Sequence, residues 1–392
     1  MTEPNPKKRR STCDTGRFEN CVKMLAKYAS VEQSLFDYAN FAILKISDCN
    51  ASQNYSFTSA KCNIVEIAEN HEVPLLLKFT DIFNKGIQLL AAAENNTRVL
   101  DGNEKTAVML LASYLGDIEQ HEKSLRKVIS LVAEEKKEEK SLDNHITIAL
   151  ADHLLGKLAP GNSYTIDSHL KTSGKCRCAF DYCKQDSNFG CTGIGNVNAW
   201  HGFIDVLSDP GSPESVDVVV ANSDDDEDET DDINSFTNGK EEDVIGSEDQ
   251  AVAQTIVFSF IQRKRHPTLC SLIPNILISS SYFRIIMYDS VHDILLCTAL
   301  IPLFATKEKK KLIPTSVVIL WMVLHHRQFC EEIKTNMIDD LDNIKLNFKE
   351  QANDKYDLYL NLSEIGICSF PSVSKKCYPS SDSVYGGRPI TQ

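Results

Sequence analysis

The sequence predicts a mixed α+β/α/β protein, with a helical N-terminal region followed by a mixed sheet flanked by helices. Three observations carry that class. Residues 17–140 place apolar side chains at three- and four-residue steps. From residue 141 onward, short β-branched runs alternate with long helical patterns. The chain has 392 residues, 42% of them hydrophobic, which is enough to bury a sizeable core.

Residues 1–16 read as a disordered basic tail. Lys7, Lys8, Arg9 and Arg10 suit a nuclear localisation run or a solvated tail. No apolar stretch follows them, unlike a secretory leader. In the helical domain, 17–140, residues Phe18, Val22, Leu25, Ala29, Leu35, Phe36 and Ala39 fall near helical spacing. The segment VPLLLKFTDIFNKGIQLLAAA has a proline close to its start, as helices allow. Val108, Leu111, Leu115, Ile118, Leu125, Val128 and Val132 form one stripe. It reads as the inner face of a bundle, with a coiled-coil dimer seam as the alternative. EEKKEEK ends the region as solvated charge.

Residues 141–305 read as an α/β domain. DNHITIALADHLLGKLAPG is a helix with a Pro-Gly stop, and YTIDSHL is a short extended piece. A cysteine-rich loop precedes the strand AWHGFIDVL, the turn DPGSP and the returning strand SVDVVVA. Residues 222–248 form an acidic insertion expected to be disordered, because Asp224 to Asp232 is acidic apart from Thr230. EDQAVAQTIVFSFIQRKR is a helix whose terminal charges complement its dipole at both ends. LIPNILIS, YFRIIMYD and HDILLCTALI are strands, the last two joined by a hairpin at YDSVHD. Residues 306–360 are a C-terminal helical segment, and 361–392 a loop-rich tail.

The composition narrows the function. A net charge of -14 disfavours nonspecific attraction to nucleic acid or anionic membranes. The longest apolar runs, ILLCTALIPLF and VVILWMVL, fall far short of the roughly 20 residues that cross a bilayer, so no membrane is expected. The 13 cysteines are odd in number, in a large chain, and read as reduced thiols of an intracellular protein, nuclear or cytoplasmic.

The order from 143 to 297 is helix, short strand, strand, strand, helix, strand, strand. With Asp205 in HGFIDVL and Gln250 and Gln254 on the following helix, it resembles the PD-(D/E)XK nuclease-like, or restriction-endonuclease-like, superfamily in divergent form. The resemblance implies that Asp205 binds Mg or Mn, since such ions need hard oxygen ligands. A second carboxylate and a lysine two positions beyond it should complete the site. Here the returning strand ends in Ala221, Asn222 and Ser223 instead. Asp217 begins that strand and could substitute as the ligand, while Lys264 or Arg263, at the end of the next helix, could replace the lysine. Asp152, where the family often keeps another acid, reads as a helix-surface carboxylate.

Cys176, Cys178, Cys183 and Cys191 lie close enough in sequence for a structural zinc, although they lack paired C-x2-C knuckles. His201 reads as a packed residue rather than a ligand. Two function classes follow. The favoured one is a degenerate, non-catalytic binding or scaffold module, whose acidic insertion suits a nucleic-acid mimic, an autoinhibitory flap or the contact for a basic protein partner. The other is a metal-dependent phosphodiesterase acting on nucleic acid, with Asp205, Asp217, Gln254 and Lys264 as its site.

Overall fold

The computed structural model describes residues 36, 39–69, 73–95, 98–134, 141–172, 178, 187–208, 216–220, 247–268, 271–305, 311–333 and 345–370. Strands β1 (Phe41–Cys49) and β2 (Cys62–Glu66) come first. Helices α1 (Asn84–Asn95), α2 (Gly102–Gly116), α3 (Ile118–Glu134) and α4 (Ser141–Leu150) follow. Then come β3 (Tyr164–Asp167), β4 (Phe189–Gly190), β5 (Gly193–Gly195), β6 (His201–Phe203), β7 (Val206–Ser208) and β8 (Val216–Val220). Helix α5 (Glu248–Arg265) leads to β9 (Leu272–Ile278), β10 (Tyr282–Asp289), β11 (Ile294–Thr298), helix α6 (Pro314–Leu324) and β12 (Glu364–Ile365).

The main path of one large mixed sheet runs β2-β1-β11-β10-β9-β8-β7-β3-β4. β7 pairs antiparallel with β3 on one side and with β8 on the other. β8 and β9 are parallel, pairing Asp217 with Asn275 and Val220 with Ile278, and α5 makes the crossover between them. A parallel pair needs such a long connection, whereas a hairpin suffices for antiparallel neighbours. β5, β6 and β12 form a separate small sheet.

Helices cover both faces, so central strands read as apolar runs. Val216, Val218 and Val220 join the core that also contains residues of α2, α3, α4 and α6. Val219 joins the opposite core, under α5. Alternation along β8 thus feeds two cores from one strand. In α6 every residue from Thr315 to Leu324 is buried, as expected of a helix apolar all round. Trp321 sits at its centre, its indole N–H donating to Ala107 O at 3.1 Å.

Four readings of the sequence need correction. Residues 17–140 are not wholly helical. β1 lies inside the main sheet, and Leu76–Leu77 pairs with it. Phe41, Ala42, Ile43 and Leu44 are all buried, and a run without alternation does not separate strand from helix. The stripe from Val108 is not one helix either, for Asp117 breaks it between α2 and α3. Val108, Leu111, Leu115, Leu125 and Val128 are buried in the chain's own core, which removes them from an exposed dimer seam. HGFIDVL is likewise two strands, β6 in the small sheet and β7 in the large one. Finally, Asp152 is fully buried rather than on a helix surface. A π turn over Ala151–Leu155 continues α4, and the extra residue in a wide turn moves the side chains out of simple helical phase.

The basic tail and the turn DPGSP lie outside the described residues, as does residue 222–246 of the acidic insertion. At its far end Glu248 already belongs to α5. Among the described residues, no helix is long and apolar enough to cross a membrane.

Candidate functional site

The sheet and α5 bring Asp205, Asp217 and Gln254 into one neighbourhood. Asp205 stands between β6 and β7, where the chain passes from the small sheet to the large one. Its Oδ2 accepts from the Val220 N–H at 2.8 Å, and its carbonyl accepts from the Asp167 N–H at 2.9 Å. The residue keeps part of its surface accessible, yet its carboxyl group is closely enclosed by protein. Burial pushes its pKa up to about 7; the Val220 bond opposes the rise and the charge of Asp167 adds to it.

Asp217 interrupts the valines of β8 and has no exposed surface. Asn275 interrupts the apolar run of β9 directly opposite, and its Nδ2 donates to Asp217 Oδ2 at 3.1 Å and to Ala251 O at 3.2 Å. Burial raises the Asp217 pKa well above the carboxylate range, helped by the nearby charge of Asp205. Among the described residues, Asp217 Oδ1, Asn275 Oδ1 and Gln254 Oε1 are buried without hydrogen-bond partners. Such a surplus of acceptors is relieved when Asp217 carries a proton and becomes a donor. Gln254, fully buried on α5, spends its Nε2 on Phe203 O at 3.1 Å and so ties β6 to the helix.

Lys264 is not part of this group. It lies ten residues beyond Gln254, a rise of about 15 Å along the helix, and its Nζ donates to Asn361 O at 2.8 Å. Arg263 donates to Ser290 O at 2.9 Å. Asp152 serves a different place, accepting from the Tyr164 hydroxyl and, at 2.7 Å, from Ser187 Oγ. Its pKa is raised by burial, against which both bonds act.

Sequence reasoning missed three neighbours. Asp167 closes β3 next to Asp205, and its Oδ1 meets the His169 ring 2.9 Å away. The His169 side chain is 60% exposed and packs edge-on against Phe203, with ring centroids 4.3 Å apart. Asn275 is the third. A lone polar residue inside LIPNILI was the available signal, since a buried amide must find a partner.

A divalent ion does not fit these residues. It needs several carboxylate or carbonyl oxygens facing one point, and no group of three or more His, Cys, Asp or Glu side chains among the described residues could hold a metal. One oxygen of Asp205 is occupied by a backbone N–H, and one of Asp217 by an amide. Of the four cysteines of the zinc reading, Cys178 and Cys191 are among the described residues. Cys176 and Cys183 lie outside them. Cys178 packs against the core that holds α2 and α4, whereas the Cys191 thiol meets that of Cys368. His201 is buried, with Nδ1 2.9 Å from Ala199 O and its ring against Phe370.

No protein-family model matches the chain, and no curated protein or solved structure matches it. The site's chemistry therefore rests on its own geometry. A carboxyl group enclosed by protein and raised to about 7 can hold or release a proton near neutrality, and Asp217, Asn275 and Gln254 fix the backbone around it.

Proposed function

We propose that this chain is a divergent restriction-endonuclease-like protein that acts as a binding or scaffold module and does not cleave phosphodiesters. The order α4, β3, β7, β8, α5, β9, with three antiparallel strands and a fourth parallel to the third, supports the fold assignment. The observation that carries the functional reading is the use made of Asp217. The carboxyl group available to substitute for the missing second ligand is a buried partner of Asn275. Across from Asp205 the returning strand offers the Val220 N–H instead of a carboxylate and lysine. The acidic block at 224–232 carries concentrated negative charge suited to a basic protein.

The test has two arms. Single- and double-stranded DNA and RNA, incubated with the full chain and Mg or Mn, should remain intact. Cleavage that disappears in Asp205→Ala would overturn the reading in favour of the metal-dependent nuclease. In the second arm, a Lys/Arg-rich peptide should bind in a salt-sensitive way, and replacing the acids of 224–232 by Asn and Gln should abolish binding. Undiminished binding to that variant would remove the acidic block as the contact.

The nuclease reading is favoured by one observation. Asp167 on β3, Asp205 just before β7 and Asp217 on β8 belong to three neighbouring positions of the sheet, with the charge of Asp167 raising the Asp205 pKa and that of Asp205 raising the Asp217 pKa.

A further inference from the structure

Where the loop 50–61 joins them, β1 and β2 meet through two cysteines. Cys49 and Cys62 stand directly opposite in the antiparallel register, just beyond an irregularity between Ile46 and Asp48. In the next pair, Asn50 N–H donates to Lys61 O at 3.1 Å and Lys61 N–H donates to Asn50 Oδ1 at 2.9 Å. The backbone bond falls at 50 and 61, so alternation makes 49 and 62 the close, non-hydrogen-bonded pair, typically with Cα atoms about 4.5 Å apart. A disulfide requires roughly 4.4–6.8 Å. The two thiols already share a hydrogen bond.

The partners are unequal. Cys49 is partly exposed, and Cys62 is buried at 3%. The Cys62 S–H and the Ala51 N–H both donate to the Cys49 sulfur and hold its pKa below the usual thiol value. Low thiolate pKa combined with access is what selects a cysteine for oxidation. Burial or a raised thiol pKa disfavours Cys297, Cys330 and Cys191. Cys297 is buried, its thiol pushed up to about 12 by that burial. Cys330 is buried, and burial and the bond with Cys368 raise the Cys191 thiol.

We propose that Cys49 and Cys62 are an oxidative modification site, in which a hydroperoxide oxidises Cys49 and Cys62 resolves the product as a cross-strand disulfide. With hydrogen peroxide, the Cys49 thiolate attacks one oxygen and the O–O bond breaks. Hydroxide leaves and is protonated to water, and Cys49 becomes a sulfenic acid. The Cys62 sulfur then attacks the Cys49 sulfur, the S–O bond breaks, and a second water leaves with the thiol proton. Two thiols and one peroxide give one disulfide and two waters, the two electrons passing from sulfur to peroxide.

The link closes the loop 50–61, which is wired to the candidate site. Trp200 Nε1 donates to Asn50 Oδ1 at 3.0 Å, Tyr359 Oη to Ala51 O at 2.8 Å, and the His201 N–H to Tyr55 O at 3.2 Å. Asp249, in the first turn of α5, accepts from the Cys62 N–H. Oxidation thus fixes a loop that holds both β6 and the start of α5. The proposal is independent of whether the protein binds or cleaves.

Treating the reduced full chain with stoichiometric hydrogen peroxide, alkylating, and mapping the non-reduced peptides by mass spectrometry tests this. The expected result is loss of two thiols per chain, a peptide pair joined through Cys49 and Cys62, and full reversal by dithiothreitol. Cys62→Ser should accumulate a dimedone adduct on Cys49. A link between two chains, a sole link between Cys191 and Cys368, or a Cys49 that stays alkylatable while other thiols oxidise would each overturn the assignment. The unsubstituted chain decides the outcome, so a poorly folding variant does not obscure it.

Discussion

Asp217 and Asn275 face each other across the parallel strand pair at the heart of the sheet, joined by an Asn275 Nδ2 to Asp217 Oδ2 hydrogen bond of 3.1 Å. An ionised carboxylate buried this deeply with only neutral partners would be strongly unfavourable, so the protein keeps the acid neutral. Asp217→Asn preserves the shape and removes the cost of holding a proton. Its urea midpoint at pH 8 should equal or exceed that of the parent. Asp217→Ala leaves Asn275 unpaired beside a cavity and should cost about 2–4 kcal/mol. A loss as large for Asn as for Ala would mean that Asp217 is charged in the fold.

Asp205 gives stability a pH dependence of known sign. Its folded pKa, raised to about 7, exceeds the ordinary carboxylate value. The associated stability is complete below pH 4, is lost as the unfolded chain ionises between pH 4 and 7, and levels off above 7. Asp205→Asn lacks this loss while its amide oxygen still accepts from Val220. Its stability advantage over the parent should grow from pH 4 to 7, on the order of a few kcal/mol, and then stop growing. Denaturation curves at pH 4.5, 6, 7 and 8 measure it. A difference that is flat with pH would place the titration elsewhere.

What the sequence disclosed follows local chemistry. Helix α5 was legible because Glu248 and Asp249 open it and Arg263, Lys264 and Arg265 close it. The hairpin after β10 was legible because Asp289 sits where its carboxylate caps the Val291 and His292 N–H groups. β1 was not, because burial on both faces erases alternation. The division of HGFIDVL between two sheets depends on Gly202, at φ +146°, where a side chain would press on Phe57. That contact comes from the 50–61 loop, far away in sequence. The site was half legible. Asp205, Asp217 and Gln254 do lie together, but whether they face a metal or one another is decided by tertiary packing.

The buried histidines act on stability with the opposite sign. Burial lowers His325 to about 4 even though its Nε2 lies 3.0 Å from Leu158 O, and lowers His326 well below its usual value, helped by the charge of Arg327. Both stay neutral in the fold while the unfolded chain takes up protons below about pH 6.5. Their stability is therefore present above pH 6.5 and lost as pH falls toward 4. Neither ring nitrogen of His326 has a hydrogen-bond partner among the described residues. His326→Phe should gain about 1 kcal/mol at pH 7.5 and more at pH 5.5. Urea unfolding at both values checks this, and a loss at both would show that the imidazole is hydrogen-bonded.

Gly156 decides how closely the turn after the π segment approaches β3. A Cβ added there would collide with the Tyr164 ring and the Ala151 carbonyl. Helix propensity alone favours alanine by about 1 kcal/mol. Overpacking costs about 1–3 kcal/mol, and moving Tyr164 also strains its bond to the buried Asp152, so the contact wins. Gly156→Ala should destabilise by about 2 kcal/mol net. Tyr164→Phe removes the hydroxyl alone, leaves Asp152 its bond from Ser187 Oγ, and should cost about 1–2 kcal/mol. In the double variant part of the damage is shared, because the bond lost to one change is already strained by the other. The combined cost should fall below the sum of the single costs by more than about 0.5 kcal/mol. Strict additivity in that cycle would show that the glycine and the Tyr164–Asp152 bond are independent.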